Sequence, residues 1–169
     1  LVDKKLACLV EEYHPQWGIV SFSEQIFDPV VWSHYSDSHR GIALGFDYLL
    51  SESLLKINYP PVRPTVDIEK ISSMSQSEQK AMLLRILSSK APNWSYEQER
   101  RVVVELSRCE RRGKHYFIKI PEDFLKHVVL GINCQLSESD VKKALEISGF
   151  GDATVARARR CPTRYQVLH

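Results

Sequence analysis

Trp94-Ser-Tyr-Glu-Gln-Glu-Arg-Arg-Val-Val-Val-Glu-Leu106 divides into two halves with different physical demands. From Arg101 the β-branched run Val102-Val-Val104 has the character of a strand inside a sheet. The preceding half crowds Trp94 and Tyr96 among ionisable groups, which packing alone does not require. If that half is extended, Glu97, Glu99 and Arg101 point to one face and Tyr96, Gln98 and Arg100 to the other. If it is helical, Glu97 pairs with Arg100 or Arg101 at i+3 or i+4, a bridge of ~0.2–0.5 kcal/mol.

The pattern downstream continues as sheet. Arg101–Leu106 and His115–Ile120 flank the polar Glu110-Arg-Arg-Gly113, which predicts a hairpin. A helical turn is expected from Pro121, then a strand over 127–132 and a helix over 137–147. Ser137 and Asp140 resemble a capping box, and Gly149 suits the helix end. Alternating Ala/Val and Arg over 154–160 and the closing Tyr165-Gln-Val-Leu168 complete the strands.

Upstream, Ser75 with Glu78 predicts a capped helix over 75–89, its apolar stripe formed by Met82, Leu83, Ile86 and Leu87. The prolines at 60, 61 and 64 predict an extended connection running to Ser73. Strands are expected over 18–23, 42–46 and 55–59. Asp28-Pro29 marks a helix start, a carboxylate cap followed by proline at the first helical position. That helix should end near Ser36, and residues 3–14 have the spacing of another. The sum is an α+β fold, one domain over residues 1–169 with a mostly antiparallel sheet and flanking helices. Strand-like sequence begins only after a polar helix, so an N-terminal segment is expected to be missing.

The net charge of +2 is low for a dedicated nucleic-acid binder. No run approaches the ~20 apolar residues of a membrane span, so no membrane partner is expected. Four scattered cysteines without CxxC spacing suit a reduced, cytoplasmic chain better than a disulfide framework.

A second dense segment is Trp32-Ser-His-Tyr-Ser-Asp-Ser-His-Arg-Gly41. Continued as a helix, it puts Trp32, Ser36 and His39 on one face, while Asp37 lies three residues from His34. The two histidines are five apart, a poor spacing for shared metal ligation, so no metal is expected. The aromatics suit a core and the histidines a helix C-terminus. Alternatively, Gly41 lets the backbone turn sharply and present His39 and Arg40 to a ligand. Ser21 and Ser23 flank Phe22 on one strand, so both hydroxyls share a face, either solvated or facing a ribose or phosphate. Arg157–Arg164 either protects an edge strand by charge or grips phosphate.

These segments resemble the DUF2971 family, bacterial proteins of unknown function. The likeness runs through Ser21-Phe-Ser23, Trp32–Gly41, Gly45-Phe-Asp47, Trp94–Arg101 and Val128-Val-Leu-Gly131, most of the chain from residue 17 onward. Family members usually open with a strand and an Asn-Asp-Pro-Phe-like loop, and both are missing here. The proteins this family looks like imply a role in bacterial stress or phage defence.

A shorter resemblance is to ADP-ribosyltransferases, which carry a Ser-x-Ser strand and a Glu-x-Glu loop entering a late strand, here Ser21–Ser23 and Glu97-Gln-Glu99. It implies NAD or another nucleotide-containing substrate and no tightly bound cofactor. Glu99 is then the catalytic carboxylate, Ser21 and Ser23 line the ribose site, and Tyr35, His39, Arg40 and Trp94 hold the ligand. Tyr96, Glu97 and Arg100 complete the candidate binding set, with His39 as a further catalytic candidate. Two alternatives stand beside this. One is a non-catalytic module binding nucleotide or nucleic acid through His39-Arg40 and the C-terminal arginines. The other is a metal-independent nuclease using His34 or His39 as acid and base.

Overall fold

A computed structural model describes residues 17–47, 54–71 and 73–169; the helix expected over 3–14 lies outside them. In chain order the first elements are β1 (Trp17–Ser23), α1 (Pro29–Tyr35), β2 (Ile42–Phe46), β3 (Leu55–Lys56), α2 (Ile68–Ile71) and α3 (Gln76–Leu87). A 3₁₀ helix over Pro92–Glu97 leads into β4 (Glu99–Glu105), followed by β5 (Glu110–Arg112) and β6 (His115–Phe117). The remaining elements are β7 (Leu125–Leu130), α4 (Glu138–Ile147), β8 (Thr154–Arg157), β9 (Arg159–Arg160) and β10 (Val167–Leu168). The fold class is α+β with largely antiparallel pairing. No helix among the described residues is long and apolar enough to cross a membrane.

The chain divides into two compact units. In the first, which holds the described residues up to 24 and those between 54 and 118, β4 is the middle strand of the sheet β1-β4-β3. The register sets Ser21 opposite Arg101 and Ser23 opposite Glu99. The strand expected over 55–59 is shorter. Ile57 N–H still reaches the Glu99 carbonyl (3.1 Å), but Asn58 N–H turns away to the Ser88 carbonyl (2.7 Å) at the end of α3. That switch ties the helix end to the sheet.

Helix α3 has the expected reciprocal cap between Ser75 and Glu78. Its apolar stripe is only half-buried, with Ile86 exposed. The connection over 60–73 is not wholly extended: Asp67 Oδ1 accepts from Glu69 N–H (3.2 Å) and starts the single turn α2. The predicted hairpin also shifts. β5 pairs with β6 across Gly113-Lys114, while β4 pairs with β1 and β3 instead. Gly113 has φ +62°, the left-handed conformation a two-residue hairpin loop asks of its first position.

In the second unit, β7 is the centre of the sheet β2-β7-β8, antiparallel to β2 and parallel to β8. Both its faces are covered, which explains the unbroken apolar run Val128-Val-Leu130. One face packs Val129 with Trp32 of α1, Ala158 and Val167. The other packs Leu125 and Val128 with Ala153, against Val141 and Leu145 of α4. Asp28 caps α1 by accepting from Val30 and Val31 N–H (2.7 and 3.3 Å), and Ser137 caps α4.

Candidate functional site

The two dense segments of the sequence fall in different units, and each builds its own cluster. In the first unit the Trp94–Arg101 segment is neither wholly extended nor wholly helical. It runs as 3₁₀ helix to Glu97, reverses at Gln98 (φ +44°), and enters β4 at Glu99. The reversal leaves Glu97 and Glu99 both buried, 3% and 5% exposed.

Two buried carboxylates are costly unless cations and hydrogen bonds surround them. Arg101 supplies one cation, with Nε 2.7 Å from Glu99 Oε1 and a second nitrogen 3.2 Å from Oε2. Its remaining nitrogen donates to the Leu87 carbonyl at 2.5 Å, so α3 fixes the guanidinium. Lys90 supplies the other. Its ammonium donates to Glu97 Oε2 and, at 3.0 Å, to Glu99 Oε2, and it lies 5.0 Å from the Trp94 ring centre. The helical alternative for the sequence, Glu97 bridged to Arg100 or Arg101, is therefore replaced by a bridge to Lys90. Arg100 points the other way, onto exposed Glu24 (2.8 Å).

Ser23, opposite Glu99 in the register, donates its Oγ to the Glu97 carbonyl (2.6 Å), and the Ser21 hydroxyl favours the charged form of Glu99. Tyr59 Oη accepts the Glu99 backbone N–H at 2.8 Å. Burial pushes the Glu99 carboxyl up, but donation from Arg101, Ser21 and Lys90, with the Arg101 charge, outweighs it and lowers the carboxyl to about 2. Lys90 is raised: burial opposes its charge, and bonds to both glutamates overcome that. The cluster thus holds the Glu99 carboxylate ionised at neutral pH and in one orientation. Its ammonium sits between two carboxylates and an aromatic face, a place suited to a cation. Tyr96 lies beside Trp94, ring centres 6.1 Å apart.

Lys90 and Tyr59 did not stand out in the sequence. Charge balance was the available signal for Lys90, since two glutamates buried beside one arginine call for a second cation.

In the second unit, α1 stops at Tyr35. Asp37, Ser38 and His39 all take positive φ (50°, 53° and 65°), a left-handed turn of three non-glycine residues, each disfavoured by about 1–2 kcal/mol. The sharp turn expected at Gly41 is made by these three residues instead. Gly41 is needed for room, because a Cβ there would lie 3.2 Å from the Ser36 backbone that accepts its N–H.

Several contacts hold the turn. Asn133 N–H donates to the His39 carbonyl (3.0 Å) and Asn133 Nδ2 to the Ser38 carbonyl (3.3 Å). A Cβ on Gly131 would fall 2.1 Å from that His39 oxygen. The result lays the His39 ring parallel to Trp32, with centres 6.2 Å apart. His39 Nδ1 is buried without a hydrogen-bond partner among the described residues. The favoured tautomer therefore carries its proton on Nε2, which is 3.2 Å from Ser33 Oγ.

His39 lines a cavity of about 300 Å³ with Asn133, Arg160, Cys161, Arg164 and Tyr165 among its walls. Arg40 is bound outside it in an exposed ion pair with Asp37 (2.8 Å). Tyr35, 65% exposed, and His34, ring edge toward Tyr35 at 6.4 Å, are not among its walls either. Arg157, grouped in the sequence with the C-terminal arginines, is structural: it donates to the Cys134 and Leu136 carbonyls (2.8 and 2.5 Å). The described cysteines Cys109, Cys134 and Cys161 are free. A scan of the chain against family models gives no match, and searches of curated proteins and of solved structures give no significant one.

Proposed function

We propose that this chain is a DUF2971-type protein with ADP-ribosyltransferase-like chemistry, acting on NAD or a related nucleotide, with Glu99 as its key carboxylate. One observation carries the reading. The Ser21-Phe-Ser23 strand and the strand opened by Glu99 are antiparallel neighbours, with Ser23 directly opposite Glu99 and its hydroxyl donating to the Glu97 carbonyl (2.6 Å). Two short motifs distant in sequence thereby form one polar surface.

In such a reaction the bond between the ribose carbon and nicotinamide breaks, and its electron pair leaves with nicotinamide. Positive charge develops on the ribose, and an acceptor nucleophile adds there and loses its proton. A fixed, ionised carboxylate lowers the energy of that cationic state without reorganising. The Lys90 ammonium marks the position between Glu97, Glu99 and Trp94 that a substrate cation would take, with Lys90 swinging aside on its flexible stem.

The test is mass spectrometry of NAD incubated with the protein and a pool of RNA, DNA and protein acceptors. Nicotinamide release by the wild type and its loss in a Glu99→Gln variant that keeps its near-UV circular dichroism is the expected result. Release undiminished in that folded variant, or no release by the wild type, refutes the assignment.

A further inference from the structure

We propose that the cavity of the second unit is a binding site for the phosphate of a mononucleotide, held by Arg160 and Arg164 with the base against Tyr165. The inference goes beyond the Glu99 chemistry and does not rest on it.

The walls carry net positive charge. Arg160 and Arg164 both contribute, and neither guanidinium makes an ion pair or side-chain hydrogen bond among the described residues. Arg40, Arg100, Arg101, Arg108 and Arg112 each have a carboxylate partner. Among the described residues no Asp or Glu lines the cavity. Two guanidiniums on one cavity wall, with no carboxylate partner among the described residues, are donors suited to a multivalent oxyanion.

The loop between β9 and β10 strengthens the case. Cys161 N–H donates to the Gln166 carbonyl (3.0 Å) and Gln166 N–H to the Arg164 carbonyl (2.9 Å), which closes the loop on itself. Inside it the backbone N–H groups of Thr163 and Arg164 turn toward the Cys161 sulfur, whose thiol is lowered by them, by the Thr163 hydroxyl and by the Arg164 charge. Converging amides of this kind favour negative charge.

Size and rim select the ligand class. About 300 Å³ is several times the volume of a bare phosphate, so the anion's carrier enters too. Tyr165 at the cavity is 99% exposed, a flat ring on which a base can stack.

Cys161 offers an internal reporter. The rate of its alkylation by iodoacetamide is followed by peptide mass spectrometry with 5′-AMP, adenosine or inorganic phosphate present. The expected result is saturable protection by AMP, weaker protection by phosphate and none by adenosine. Arg160→Gln and Arg164→Gln, at exposed positions that do not threaten folding, should each weaken AMP protection about tenfold or more. Absence of AMP protection, or protection unchanged in both arginine variants, overturns the site. Adenosine as effective as AMP overturns phosphate recognition. Phosphate as effective as AMP overturns the nucleotide.

Discussion

Replacing Glu99 by Gln keeps the shape of the side chain and removes its charge, so the acid stability of the two proteins should diverge predictably. In the folded chain the carboxyl is lowered from 4.5 to about 2. A group depressed in this way adds stability that is present above its unfolded value and lost as pH falls through its folded value. The window therefore opens near pH 5 and closes near pH 2, and the full contribution is about 3 kcal/mol. About 2 kcal/mol of it should be gone by pH 3, where most unfolded Glu99 binds a proton and the folded form still does not.

Urea unfolding of wild type and Glu99→Gln at a series of pH values from neutral to about 3 measures the difference directly. The gap between the proteins should be widest at neutral pH and narrow steadily below pH 5. Stranding Arg101 and Lys90 beside an amide adds a further cost across the range. A gap that stays constant from pH 7 to 3 refutes the claim that Arg101, Ser21 and Lys90 hold a charged carboxylate.

Lys90→Ala should destabilise by about 2 kcal/mol, because two buried glutamates then share only Arg101; combined with Glu97→Gln the cost should be less than additive by thermal unfolding. Gly131→Ala should cost about 1–3 kcal/mol in urea unfolding, since its Cβ would collide with the His39 carbonyl, and an unchanged midpoint would show that the turn shifts freely. Asp28→Ala removes the acceptor for two N–H groups at the start of α1 and should cost about 1 kcal/mol, whereas Asp28→Asn should recover most of it.

The legible parts of the sequence were those where a local rule and the tertiary fold agree. Asp28-Pro29, Ser75 with Glu78, and Ser137 start helices because the capping oxygen satisfies donors the helix itself cannot. The doubly apolar run at Val128–Leu130 is central because its strand is covered on both faces. What escaped reading depended on partners distant in sequence. β3 stops early because Asn58 finds the end of α3, and the turn at 37–39 is left-handed because the loop at 131–133 grips it. The site divides in the same way. Ser21, Ser23, Glu97 and Glu99 came from the motifs, but Lys90 and Tyr59 join them only through pairing of Asn58, Ser88 and Lys90 across the fold.

The grip on the left-handed turn also has a kinetic consequence. The His39 carbonyl accepts from Asn133, and the Gly41 carbonyl accepts from Gly131 at 2.9 Å, so the two loops are laced by adjacent bonds. A turn this unfavourable by itself has no reason to keep its form once those bonds part. Opening should therefore be all-or-none: the amide hydrogens of Gly131 and Asn133 would exchange with solvent together, at one rate set by the release of the end of β7. His39 would leave its place on Trp32 in that same event.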